Sequence, residues 1–189
     1  MIYGVSSFLF HQHASKKHSV TVRNIPIPDD PVTIAEGRPL YGIKGYGECH
    51  SANLRGKMGV DDPAIGHIAG GDITCETAGL SESYRNEDRL KALEHGLNTT
   101  NKLLLLMPSE EFTRTDDPDI AAVTAFCSAQ LQIDTPSIPR VVPLRRILSV
   151  QEEIPMFPAE KIDHLHEQAD TKKYGQYLRI PAQAAISRY

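Results

Sequence analysis

Gly45-Tyr46-Gly47-Glu48-Cys49-His50 is the stretch on which the reading of this chain turns. It sets a thiol and an imidazole side by side, directly after an aromatic residue held between two glycines. A Cys-His pair alone is a common dipeptide, and a buried structural cysteine beside a surface histidine would account for it. The wider sequence supplies a second soft donor in Leu103-Leu104-Leu105-Leu106-Met107-Pro108, a run without polar side chains up to a thioether. Methionine sulfur is a soft ligand, and an apolar run beside it would keep water away from a metal. Read plainly, the same run is a leucine-rich strand with methionine filling a gap in the core.

Cys49-His50 is also half of the pattern C-x-x-C-H, in which two cysteine sulfurs form thioethers to the vinyl groups of a haem and the adjacent histidine binds its iron. Tyr46 stands where the first cysteine would be. Met107 would complete a His/Met ligand pair, a partnership that raises the potential of haem iron.

With these two anchors, residues 34 to about 165 resemble the class I cytochrome c domains of membrane-linked bacterial dehydrogenase and oxidase chains, which often occur as tandem haem domains. The matching landmarks are Ile34-Ala35-Glu36-Gly37-Arg38-Pro39-Leu40-Tyr41, Cys49-His50-Ser51-Ala52-Asn53-Leu54-Arg55-Gly56, Asp61-Asp62-Pro63-Ala64-Ile65-Gly66, Met107-Pro108-Ser109 and Ala121-Ala122-Val123-Thr124-Ala125-Phe126. Pro143-Leu144-Arg145-Arg146 and Pro158-Ala159-Glu160-Lys161-Ile162-Asp163-His164 continue it. The resemblance implies a mostly α class I cytochrome c fold, and a haem c joined by a single thioether to Cys49 with His50 and Met107 as iron ligands. It also implies that Gly37 is where the first helix packs tightly against the last, with Phe126 on the facing side.

The departures are specific. Tyr46 removes one thioether. Gly71-Asp72 stands where relatives carry Pro-Asn, so the carbonyl that would accept the proton on the far nitrogen of His50 belongs to Gly71. Pro39 lies inside the expected first helix, where it deletes a hydrogen bond and should kink or shorten it. These losses leave a second reading open: a haemless, cytochrome-like accessory subunit with a structural role and no cofactor.

Composition narrows the classes. The chain has 189 residues, 40% of them hydrophobic, enough for one core and flanking segments. A formal charge of -4, with Lys16-Lys17-His18 as the basic knot, argues against nucleic acid as a partner. No run of about 18 apolar residues is present, so no isolated spanning helix is expected. Residues 1–10 lack the basic start and small-residue cleavage site of a secretory signal. The resemblance would make them the shortened remnant of an anchor. Cys127 falls on an apolar helical face and reads as a buried thiol, whereas a disulfide between Cys49 and Cys75 would exclude the thioether.

Three segments are expected. Residues 1–33 read as an extended arm because Pro26 and Pro28, at alternate positions, oppose helix. Residues 34–133 form the cytochrome-like domain, with a first helix opening at Asp30-Pro31, a second capped by Asn86 and closed by Gly96, and a last beginning near Pro118 behind Asp116 or Asp117. Six glycines (Gly56, Gly59, Gly66, Gly70, Gly71 and Gly79) mark a looped wrap between them, in which His67 is a weaker rival to Met107. Residues 134–189 read as a proline-rich strap with short helices at 144–150 and 159–167. No nucleophile and base pairing stands out, so an enzyme is not expected. The expected role is single-electron transfer, peripheral to the membrane, within a larger respiratory complex and between protein donors and acceptors. The compartment implied is the intermembrane-space side of the mitochondrial inner membrane or the bacterial periplasm.

Overall fold

The structure, a computed structural model, describes residues 2–62, 66–74, 80, 81, 83–104, 107, 109–112, 115–130, 174, 175, 177 and 178. Helix dominates. The order is α1 (Ile2–Ser15), α2 (Pro31–Ile43), α3 (Tyr46–His50), β1 (Met58–Asp62), β2 (Gly66–Ala69), α4 (Asn86–His95), α5 (Ser109–Phe112) and α6 (Asp117–Ser128). Among the described residues no helix is long and apolar enough to cross a membrane. The expected helices at 144–150 and 159–167, and Cys75, lie outside the described residues.

Helix α2 starts where its chemistry dictates. The Asp30 carboxylate accepts the amides of Val32 and Thr33 at 3.0 and 3.1 Å, and Pro31 fills the first helical position. The expected shortening at Pro39 does not occur, since α2 continues to Ile43. Pro39 and Ala35, the residue whose carbonyl loses its donor, both face solvent, while Gly37, Leu40 and Tyr41 face inward. Water can therefore take the orphaned carbonyl.

The central contact is the crossing of α2 and α6. A Cβ on Gly37 would stand 2.0 Å from the Ala122 carbonyl oxygen and 2.7 Å from Phe126 Cβ, so only glycine lets the two backbones meet there. Around the crossing, Leu40, Tyr41, Tyr46, Leu54, Phe112, Ala122, Val123 and Phe126 form one core cluster, with Ile73, Met107, Cys127 and Leu178 packed against it. Burial pushes the Cys127 thiol up to about 12, in keeping with an inert core position.

Two boundaries differ from the sequence reading. Arg85, not Asn86, caps α4, because Asp88 reaches back to accept the Arg85 amide at 3.1 Å. Residues 2–15 are helical instead of extended. The prolines that oppose helix begin only at Pro26, and nothing before them prevents the turn from forming.

From residue 17 onward the arm lies on the chain's own domain. Lys17 bridges Lys102, and the His18 amide donates to the Asn101 carbonyl at 2.9 Å. Ile25, with Val22 and Ile27 beside it, packs on Leu90 of α4 and on Ile120 and Ala121 of α6. Arg23 Nε donates to Glu94 Oε1 at 2.9 Å, and its other nitrogens engage Glu94 and Asp117. Apolar side chains at 22, 25 and 27 dock this non-helical segment on a helical core.

Candidate functional site

Helix α3 is a single short turn, and its entry and exit are both built for tight reversal. Gly45 before it has φ of +81°, in the left-handed region where glycine carries no penalty. Beyond it, Ser51 and Leu54 also take positive φ, and the Gly56 amide donates to the His50 carbonyl at 3.0 Å. Tyr41 of α2 donates its hydroxyl to the Ser51 carbonyl at 2.7 Å. The turn carrying Cys49 and His50 is thus fastened to the helix that crosses α6.

The loop after β2 closes on this turn. A Cβ on Gly70 would lie 1.9 Å from the Cys49 carbonyl oxygen, so the glycine permits backbone-to-backbone approach. That approach brings the Gly71 carbonyl 2.8 Å from His50 Nδ1. A carbonyl only accepts, so Nδ1 carries the proton and the neutral ring keeps its lone pair on Nε2. Burial holds the His50 pKa below the usual imidazole value, against the opposing pull of the Gly71 hydrogen bond and Asp72. Asp72 is buried and accepts the Thr74 amide and hydroxyl at 2.8 and 2.6 Å.

The sequence-predicted residues do not share one environment. Cys49 is exposed on α3. Tyr46, one turn earlier, is only 6% exposed. Its ring stacks on Phe112 of α5 at 4.5 Å between centroids and on Tyr41 at 5.8 Å. Desolvation raises the Tyr46 pKa, so its phenol stays neutral. Met107 is half-buried and packs on the cluster that contains Tyr46. Its amide donates to the Leu104 carbonyl at 3.2 Å, and its carbonyl accepts the Ser109 amide at 2.9 Å at the start of α5. The His67 side chain lies outside the described residues.

Sequence reasoning named Gly71 as the partner of His50 but missed Gly70 and the Tyr41 clamp. The doubled glycine was the available signal for close backbone approach; nothing local marked Tyr41 as a donor to residue 51. Among the described residues no group of three or more His, Cys, Asp or Glu side chains gathers as a metal site. No protein-family model matches this chain, and neither does any curated protein.

Proposed function

We propose that the chain is a single-haem c-type electron carrier of class I cytochrome c architecture, acting as a subunit of a respiratory membrane complex. The observation that carries this reading is the His50 Nδ1 to Gly71 carbonyl hydrogen bond, which fixes the tautomer and leaves Nε2 as the nitrogen a metal would take. The Gly37 crossing of α2 and α6 supports the fold assignment.

Three donors would hold a haem in this reading: His50 Nε2, Met107 Sδ and Cys49 Sγ. Bound haem iron supplies a reversible one-electron change. Were His50 and Met107 both to bind the iron, no position would remain for a substrate, and the chain would move electrons without making bonds. Exposed Cys49 would supply the thioether. Burial keeps His50 neutral and able to coordinate below the ordinary imidazole pKa. Met107 packs against the aromatic cluster. The complex, the donor and acceptor proteins, the peripheral membrane position and the periplasmic or intermembrane-space location rest on the resemblance.

Tyr46 favours a second reading. Its ring closes the position of the first thioether with a stack of Tyr41, Tyr46 and Phe112, which suits a haemless structural subunit. A pyridine haemochrome spectrum on denatured protein, made in a host competent to attach haem, separates the two. The expected result is a covalently retained band shifted as for one remaining vinyl group, with the native spectrum and potential altered by M107A. A colourless preparation overturns electron carriage in favour of the haemless subunit.

A further inference from the structure

Lys44, the residue that ends α2, is only 2% exposed. Its partner comes from far along the chain. Lys44 Nζ lies 3.4 Å from the centroid of the Tyr177 ring and donates to the Tyr177 carbonyl at 3.2 Å. The Tyr177 hydroxyl donates to Asp119 Oδ2 at 2.7 Å and accepts the Asp116 amide at 3.2 Å, with Asp116 Oδ1 at 3.1 Å. Tyr174 stacks on Tyr177 at 5.8 Å, and Leu178 packs against the main core cluster.

Each part of Tyr177 is therefore read separately: the ring face and carbonyl by an ammonium, the hydroxyl by a carboxylate pair and a backbone amide. Phenylalanine would fill the same volume but leave buried polar groups without their partner, and sites of that kind discriminate strongly against the analogue lacking the hydroxyl. The socket itself belongs to the α2 end and the α6 start, both anchored by the crossing at Gly37. Its occupant is joined to α6 through residues 131–173. At ~3.5 Å per residue the covalent reach of that stretch is on the order of 150 Å. Covalent connection thus does not compel a chain to fill its own socket, and exchange of an identical segment between copies keeps every contact.

We propose that Lys44, Asp116 and Asp119 form a recognition socket for a Tyr-Leu segment, filled here by the chain's own Tyr177 and Leu178 and open to the same segment of a second copy. This is independent of haem.

The test uses the full chain and a fluorescent peptide of residues 171–181. In the Y177F chain the ring still packs but the hydroxyl contacts are gone, so the chain's own segment competes less well. The peptide should bind Y177F roughly tenfold more tightly than it binds the wild type, and a peptide carrying Y177F itself should bind at least tenfold more weakly. Wild-type chains should form a concentration-dependent dimer by sedimentation. No peptide binding to Y177F up to about 1 mM, equal binding of Tyr and Phe peptides, or a wild type monomeric at every concentration up to about 1 mM would each overturn the proposal.

Discussion

His50 donates from Nδ1 to the Gly71 carbonyl, and burial keeps its ring neutral below the pH at which an exposed imidazole charges. The sign of the resulting pH effect follows directly. Between the depressed folded pKa and the ordinary 6.5, the unfolded chain holds a proton that the folded chain does not, so folding weakens as pH falls below about 6.5. The urea midpoint of the wild type should drop between pH 7.5 and pH 5.5 by more than that of H50Q, whose amide nitrogen can still donate to Gly71. Equal drops would mean that His50 is not held as described. Tyr46 shows the converse limit of single residues: its identity announces a missing cysteine, but only its neighbours decide that the ring stacks inward between Tyr41 and Phe112.

Helices α2, α4 and α6 were legible because their termini are written locally. Asp30 with Pro31, Gly96 at φ +61° and Pro118 at the start of α6 act within three or four residues of themselves. Where reading failed, a side chain had two possible partners. Asp116 is the N-cap of α6 as expected, yet its carboxylate makes no capping bond and instead meets Tyr177. Asp117 is drawn to Arg23. Helix α1 was missed because its sequence carries no cap signal, and the prolines further on biased the segment toward extension. The α2 and α6 pair yields a direct test: G37A forces a methyl group into the Ala122 carbonyl and should cost about 3 kcal/mol in chemical denaturation. An unchanged midpoint would show that the helices do not cross there.

At the scale of the molecule, residues 17–27 and residues 177 and 178, in segments that read as appendages, pack on the chain's core. Arg23 is the hinge of one such attachment. Glu94 is fully buried, and Arg23 lies on the extended segment that Ile25 pins to α4 and α6. Removing the guanidinium leaves an uncompensated buried carboxylate, so R23A should cost about 3 kcal/mol, read as a lowered thermal midpoint. A loss below about 0.5 kcal/mol would place the pair among surface ion pairs of little worth. Tyr177 and Leu178 make the second attachment, closing over Lys44 and the main cluster. Behind a net charge of -4, Arg23 and Lys44 each lie against carboxylates from distant parts of the chain.

The sequence by itself determined the helical character and the starts of α2 and α6, because backbone preference is written in residue type at a few positions, while the glycine at the α2 and α6 crossing and the carbonyl that meets His50 were expected from the resemblance. The tertiary structure alone decided that Tyr46 is sealed into an aromatic stack, that residues 17–27 cover α4 and α6, and that Lys44 reads Tyr177. Those contacts join residues up to 133 positions apart. At such distances a side chain's partner is selected by which apolar surfaces must be buried together, and no local pattern records that choice.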